Sequence, residues 1–236
     1  MAIAGPGPKE LLACGDRPAI NYVIAELVLA GVDEIVVVTS ERKDLLNSWL
    51  AGNDDRIPRW TANGKDGPID ICTEISESVK ITLVYQEEPL GLGHAVLCAK
   101  DAIGDSPFIV ALPDEILLPT QHGKSFKSSS VMLAEIGKSG GNALLTMQVD
   151  PDDQHKYGIV DYVLGAGGTD DVTGMVEKPK PGVTDSMQAA IGRYVFQPEF
   201  FRYLESIGQG VGGEIQLTDA IAALIHDPNG TIEMTT

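Results

Sequence analysis

Short apolar runs rich in β-branched residues alternate with longer, helix-like runs along the first 150 residues of this chain. The run "EIVVVTS" (34–40) is too short for a helix and is typical of a strand buried in a parallel sheet. Helix-like runs precede it at 16–32 and follow it at 41–50. The alternation continues with strand-like runs at 80–86, 107–117 and 142–150 and helix-like runs at 94–103 and 125–139. This order predicts an α/β fold with a Rossmann-like, mostly parallel mixed sheet flanked by helices.

The alternation is less regular after residue 150. Strand-like runs occupy 157–163, 172–179 and 188–196, and helix-like runs occupy 198–208 and 214–227. We predict a mixed second half that closes over the first without a linker, so that 1–236 forms a single domain with halves 1–150 and 151–236. The polar, turn-rich residues 51–78 are predicted to be a surface insertion.

The net charge argues against two classes of partner. Seventeen basic and thirty-four acidic residues give a charge of −17, a poor surface for nucleic acid or an anionic membrane. The apolar runs are far shorter than a membrane span, and "MAIAGPGPKE" is not a signal peptide. The three cysteines form no CxxC pair and are typical of reduced thiols. We therefore expect a cytoplasmic protein without nucleic-acid or membrane partners.

Small and polar residues cluster where predicted strands end. Open α/β sheets bind ligands beyond the carboxyl ends of their strands, where Gln86 and the turn Gly91–Gly93 follow one strand and Thr39 ends another. Glycines there allow backbone N–H groups to approach a flat or phosphorylated ligand. Neither GxGxxG nor GxxxxGK[ST] is present. Taken alone, two glycines more often mark only a turn.

Asp114 follows the buried run "FIVAL". A carboxylate at the carboxyl end of a strand, near a phosphate-binding turn, suits Mg²⁺, which takes one or two protein carboxylates together with phosphate oxygens. On this motif alone, a helix cap or a solvated turn is the alternative.

Charged residues also end a later strand, in "VEKPKPG" (176–182). Glu177 can accept hydrogen bonds from sugar hydroxyls, and Lys178 can hold a phosphate. An exposed charged turn is the simpler interpretation of this motif alone. "PKE" adds Lys9 and Glu10 near the start of the chain.

Taken together, these motifs resemble the bacterial UTP–glucose-1-phosphate uridylyltransferases, the UDP-glucose pyrophosphorylases of the sugar-nucleotidyltransferase superfamily. "GLGHAV" (91–96) and "GEIQLTDAI" (213–221) are the most specific segments, and the resemblance spans nearly the whole chain. It implies a nucleotide-diphospho-sugar transferase fold, with a nucleotide-binding half at 1–150 and a sugar-phosphate-binding half at 151–236. It also implies that intact members are homo-oligomers.

The resemblance implies roles on the nucleotide side. Gln86 and the Gly91 backbone would bind the uracil edge of UTP, with Glu10 near the nucleoside. Asp114 would hold Mg²⁺ against the phosphates, and Lys9 would contact them from the other side. Asp114 and Lys9 are thus expected to be catalytic.

The resemblance also implies roles on the sugar side. Gly158 and Glu177 would contact glucose hydroxyls, and Lys178 would bind the phosphate of glucose 1-phosphate as a third catalytic residue. Glu214 and Asp219 are expected near the sugar. The nucleophile is already a phosphate oxygen, so attack on the α-phosphorus of UTP needs no general base.

The sequence departs from the family at both ends. The family begins with a strand and a GxGTRxxP loop around the UTP phosphates, and we expect that first strand and loop to be missing from this chain. A YDCG-like motif carrying a second metal-binding aspartate is also not present. Two alternatives therefore stay open: a truncated or non-catalytic paralogue that binds UDP-glucose or a partner subunit without turnover, and an enzyme with a different sugar or base specificity.

Overall fold

The helix-like run before the first predicted strand forms a helix with one buried face. In a computed structural model that describes residues 8–14, 17–50, 79–117, 129–165 and 169–235, helix α1 (Ala19–Leu29) begins after Pro18. Its buried apolar residues recur at helical spacing, at Ile20, Val23, Ile24 and Leu27. Gly31 follows the helix with a φ of 84°, the left-handed conformation in which glycine carries no steric penalty. The predicted cap, Asp16, lies outside the described residues.

The chain divides into two compact units. The first contains the described residues of Met1–Glu87 and Leu112–Val131, and the second contains those of Glu88–Ala111 and Met132–Thr236. The predicted insertion at 51–78 lies outside the described residues. The predicted single domain with halves meeting near residue 150 stays a prediction.

The first unit contains a short hairpin and a parallel strand pair. Strands β1 (Ala13–Cys14) and β2 (Arg17–Pro18) are antiparallel. Strands β3 (Glu34–Thr39) and β4 (Lys80–Tyr85) are parallel, with register pairs running from Glu34–Lys80 to Thr39–Tyr85. Helix α2 (Asp44–Leu50) follows β3. Because β3 and β4 keep one register along their whole length, their carboxyl ends lie side by side.

The second unit contains a mixed sheet, six-stranded in the described part of the chain. Its strands are β5 (Phe108–Ala111), β6 (Ala143–Gln148), β7 (Gly158–Val163), β8 (Asp170–Glu177), β9 (Gln188–Phe196) and β10 (Glu233–Thr235), in the order β5-β9-β6-β10-β8-β7. The pairings give β5, β6, β7 and β10 one direction and β8 and β9 the other. Strand β9 lies between β5 and β6, so these two strands point the same way without pairing. The predicted mixed α/β class is confirmed.

The remaining described α-helices are α3 (Leu92–Cys98), α4 (Lys100–Ile103), α5 (Ser129–Lys138), α6 (Phe200–Ser206) and α7 (Leu217–His226). In the second unit, α6 and α7 cover the sheet with aromatic and aliphatic side chains. The Phe196 and Phe200 rings stack with centroids 3.7 Å apart, and Ile221 of α7 is fully buried in the same core. No helix in the described ranges has the length and apolar character needed to cross a bilayer.

Candidate functional site

The carboxyl ends of β3 and β4 form one edge of the first unit. The backbone N–H of Gln86 donates to the carbonyl of Thr39 at 2.8 Å, one residue beyond the last register pair. The N–H of Lys43 donates to the carbonyl of Ser40 at 3.0 Å and closes the turn into α2. Gln86 therefore contacts the carboxyl end of β3, as the sequence predicts.

Lys9 and Asp114 meet although 105 positions separate them. Lys9 Nζ lies 2.7 Å from Asp114 Oδ2, and both side chains are about half exposed. Lys9 begins a short 3-10 helix, Lys9–Leu11, and Asp114 lies in a turn in which Glu115 N–H donates to Leu112 O at 3.4 Å. The pair therefore places a cation beside a solvent-accessible hard oxygen donor.

Glu10, the neighbour of Lys9, is buried. Its Oε1 lies 2.7 Å from Lys43 Nζ. Its Oε2 is also buried and makes no hydrogen bond with any residue that the structure describes. A buried carboxylate requires a partner, and an unused oxygen on it is an acceptor available to a ligand. Sequence reasoning missed Lys43, because a lysine in a helix-like run gives no local signal of a partner 33 residues away.

The donor set of the first unit fits a cation held mainly by phosphates. No group of three or more His, Cys, Asp or Glu side chains in the described residues could enclose a metal ion. Mg²⁺ usually keeps several waters and takes one or two carboxylates together with substrate phosphates. The half-exposed carboxylate of Asp114 meets that requirement.

In the second unit, Gly91 and Gly93 pack against a later stretch of backbone. Ile215 N–H donates to Leu90 O at 2.7 Å, and Gly93 N–H donates to Ile215 O at 2.9 Å. A Cβ on either glycine would lie 2.8 Å from Ile215 O. Gly91 also has a φ of 103°, which side chains rarely adopt. The close approach of the Ile215 backbone therefore explains why both positions are glycine.

Gly158, Glu177 and Lys178 also come together in the second unit. Gly158 pairs with Glu177 across β7 and β8, and a Cβ on Gly158 would lie 3.2 Å from Glu177 Oε2. Lys178 Nζ lies 3.2 Å from Glu177 Oε1. Lys178 has a φ of 45°, and its N–H donates to Tyr157 O at 2.9 Å. A left-handed non-glycine residue at a strand end is the kind of strain found at binding sites.

The segment "EIQLTD" (214–219) contacts both groups of the second unit. Ile215 pairs with the glycine turn, and Thr218 Cγ2 would lie 3.2 Å from a Cβ on Gly158. The Thr218 hydroxyl oxygen is buried and has no hydrogen-bond partner among the described residues. Asp219 faces Gly210, where a Cβ would strike its Oδ2. Sequence reasoning singled out Glu214 and Asp219 here and missed Ile215 and Thr218.

The predicted site residues thus form two sets. Lys9, Glu10, Gln86 and Asp114 belong to the first unit, and Gly91, Gly158, Glu177 and Lys178 belong to the second. In the first set, Lys9 contacts Asp114. In the second, Glu177 contacts Gly158 and Lys178, whereas Gly91 packs against residues 214–215.

The family model described as nucleotidyl transferase matches residues 3–236 of this chain. The chain belongs to the nucleotidyl transferase family. The predicted resemblance and the prediction of a nucleotidyltransferase enzyme are thereby confirmed.

Curated members of the family are similar over most of their length. The chain is 38% identical over 217 residues to the UTP–glucose-1-phosphate uridylyltransferase of Bacillus subtilis (strain 168), which covers 92% of this chain and 73% of the relative. It is 37% identical over 218 residues to UTP–glucose-1-phosphate uridylyltransferase 2 of Staphylococcus saprophyticus, with the same two coverages.

Solved structures of family members share the fold. A UTP-bound UDP-glucose pyrophosphorylase from Acinetobacter baumannii is 33% identical, with a TM-score of 0.80 over 97% of this chain and 78% of that chain. A UDP-glucose pyrophosphorylase in complex with UDP-glucose is 27% identical, with a TM-score of 0.84 over 97% of this chain and 82% of that chain.

Proposed function

We propose that this chain transfers the uridylyl group of UTP to glucose 1-phosphate, giving UDP-glucose and pyrophosphate. The observation that carries the proposal is the Lys9–Asp114 pair, 2.7 Å apart, which joins the two residues expected at the UTP phosphates. The relatives named UTP–glucose-1-phosphate uridylyltransferase and the family structures with UTP and UDP-glucose support the choice of substrates.

On the nucleotide side, Gln86 and the Gly91 backbone bind the uracil edge and Glu10 accepts a hydrogen bond from the nucleoside. Glu10 Oε2 is suited to this role because it is a buried acceptor without a hydrogen bond in the described part of the chain. The backbone hydrogen bonds to Ile215 fix the turn that carries Gly91.

At the phosphates, Asp114 holds Mg²⁺ and Lys9 binds phosphate oxygens. When bound, Mg²⁺ supplies charge neutralisation for the triphosphate. Lys9 already lies beside Asp114, so a triphosphate at this edge would meet the ammonium group at the same place. Lysine suits this position because it is a compact point charge with three donors.

On the sugar side, Glu177 accepts hydrogen bonds from glucose hydroxyls and Lys178 binds the sugar phosphate. Gly158 leaves room beside Glu177, since a side chain there would contact its carboxylate at 3.2 Å. A phosphate oxygen of glucose 1-phosphate forms a bond to the α-phosphorus of UTP. The bond from the α-phosphorus to the bridging oxygen breaks, and pyrophosphate leaves with the electron pair.

A cytoplasmic location is part of the proposal. Among the described residues, Cys14 and Cys98 form no disulfide, as expected in a reducing compartment. Homo-oligomeric assembly stays a prediction.

The test is pyrophosphate release and UDP-glucose formation by the purified chain with UTP, glucose 1-phosphate and Mg²⁺. We expect Asp114→Ala to lower turnover by about a hundredfold or more, by the magnitudes known for single groups that stabilise transition-state charge. The matched control is Asp153→Ala, which removes an exposed carboxylate 2.5 Å from Lys156 Nζ, and it should keep full turnover.

Two results would contradict the proposal. One is full turnover by Asp114→Ala. The other is a folded chain that binds UDP-glucose by calorimetry and releases no pyrophosphate, which would favour the non-catalytic alternative.

A further inference from the structure

The ion pair Glu10–Lys43 joins a buried carboxylate to a lysine that is partly exposed. The Glu10 side chain is 6% exposed, and its immediate neighbour Lys9 is about half exposed. The remaining oxygen of Glu10 is buried without a partner among the described residues. Burying a carboxylate is costly unless a cation pairs with it, and here Lys43 supplies that cation.

The turn after β3 holds Lys43 in place. Lys43 N–H donates to Ser40 O at 3.0 Å, and Asn47 N–H donates to Lys43 O at 2.9 Å. The Asn47 side chain donates to Ser40 O at 3.2 Å and accepts from the Thr39 hydroxyl at 3.1 Å. Thr39 itself is buried. The ammonium group of Lys43 therefore extends from a backbone that is fixed on both sides of the residue.

We propose that Lys43 is a positioning residue of the nucleotide site, which holds the Glu10 carboxylate in place and oriented toward the nucleoside. This inference rests on the proposed function. Lys43 leaves Glu10 Oε2 available as an acceptor by binding Oε1. Because Lys9 directly precedes Glu10 in the 3-10 helix, Lys43 also fixes the backbone from which Lys9 reaches Asp114.

A second ion pair, between β3 and β4, is a matched control. Lys80 Nζ and Glu34 Oε1 are also 2.7 Å apart, at the opposite end of β3 and β4. The side chain of Glu34 is 41% exposed, against 6% for Glu10. The two pairs match in chemistry and distance and differ in the burial of the carboxylate and in the elements that carry them.

The experiment measures the dissociation constant of UTP by calorimetry and the KM of each substrate for the full chain. We expect Lys43→Met to weaken UTP binding about tenfold or more, because it leaves a buried carboxylate without its cation. The KM of glucose 1-phosphate should change less than about twofold, as should UTP binding in Lys80→Met, since exposed pairs contribute little. Lys43→Arg should restore most of the UTP affinity.

A double variant separates a role through Glu10 from a general loss of stability. We expect Glu10→Gln to weaken UTP binding, and Lys43→Met to add less than about a twofold further loss in that background, because coupled residues are not additive. The double variant also removes the buried charge of Glu10 together with its partner, which folded proteins tolerate better than a buried carboxylate left unpaired.

Three results would overturn the inference. The first is that Lys43→Met binds UTP as tightly as the unchanged chain does. The second is that Lys43→Met costs the same UTP affinity in the unchanged chain and in Glu10→Gln. The third is that Lys43→Met raises the KM of UTP and the KM of glucose 1-phosphate equally. Failure of the unchanged, folded chain to bind UTP would instead overturn the proposed function, and the role of Lys43 with it.

Discussion

The two sets of candidate site residues are built in different ways. In the first unit, side-chain charges meet: Lys9 with Asp114 and Lys43 with Glu10. In the second, backbone geometry dominates: Gly91 is held against residues 214–215, and Lys178 has a left-handed backbone. A charge can be removed from a half-exposed pair without disturbing the chain around it, whereas a methyl group added at a close backbone contact must displace the backbone. Substitutions in the first unit should therefore change activity, and substitutions at the glycine turn should change stability.

The largest stability effect is expected for Gly91→Ala. Its Cβ would lie 2.8 Å from both Glu214 Cβ and Ile215 O, on a residue with a φ of 103°. We expect the free energy of unfolding to fall by about 3 kcal/mol, combining backbone strain with overpacking. Denaturant titration measures the change. The control is Gly104→Ala, which has a φ of 62° but no atom within 4 Å, and which should cost about 1 kcal/mol by strain alone. Equal losses for the two variants would show that the contact with residues 214–215 is unimportant.

In contrast to Gly91→Ala, Lys9→Met should lower activity and leave stability nearly unchanged. Because Lys9 is about half exposed, we expect the free energy of unfolding to change by less than about 1 kcal/mol. The kcat/KM for UTP should fall about a hundredfold, since the group that binds the phosphates is lost. Steady-state kinetics and thermal denaturation on the same preparation measure both quantities. Lys156→Met, which removes the cation of another exposed pair, should leave both unchanged. A variant with normal kinetics would exclude Lys9 from the phosphate site.

Lys178 combines both kinds of feature, so two substitutions separate them. Lys178→Ala and Lys178→Gly both remove the ammonium group and should raise the KM of glucose 1-phosphate alike. Only glycine relieves the φ of 45°, so Lys178→Gly should be more stable than Lys178→Ala by about 1 kcal/mol. Thermal denaturation of the pair gives this difference. Equal stability would mean that the backbone at 178 carries no strain.

The smallest effect is expected at a carboxylate outside both sets. Asp227 accepts hydrogen bonds from Asn229 N–H at 2.9 Å and from the Tyr203 hydroxyl at 2.7 Å. These bonds, with the nearby Arg202, hold the pKa of Asp227 below its ordinary value. An aspartate whose pKa is lowered by folding stabilises the fold at any pH above its pKa in the unfolded chain, which is about 3.9. This contribution is lost as the pH falls through the pKa of Asp227 in the folded chain.

Asp227→Asn should therefore lower the Tm at neutral pH and lose this difference below about pH 4, with turnover unchanged. Tm measured against pH checks the prediction. Asp105→Asn, at an exposed position, should follow the unchanged chain throughout. A difference for Asp227→Asn that persists in acid would assign its effect to packing instead of charge.

Much of the fold could be predicted because local patterns mark it. Strand β9 has the predicted bounds, 188–196, and the apolar spacing of α7 matches its buried face. Strand β10 is only three residues long and has no such pattern. The place of β9 between β5 and β6 is set by tertiary pairing, which no local run of residues reports.

The candidate site shows the same limit. The rule that ligands bind beyond strand ends predicted that Gln86 and Thr39 would meet. It could not predict that Lys43 pairs with Glu10, because two charges 33 residues apart carry no signal of proximity. The glycines at 91 and 93 correctly indicated a close approach, but a sequence cannot show that Ile215 makes it.

The hydrogen bonds between Leu90, Gly93 and Ile215 have a consequence for biosynthesis. A ribosome adds about 5–20 residues per second, so the glycine turn leaves the exit tunnel several seconds before Ile215 is made. During that interval the backbone groups of Leu90 and Gly93 that later bond to Ile215 face water or a chaperone. Ribosome-bound chains that end before residue 215 therefore carry the turn without its support, and the part of the protein proposed to bind uracil matures among the last.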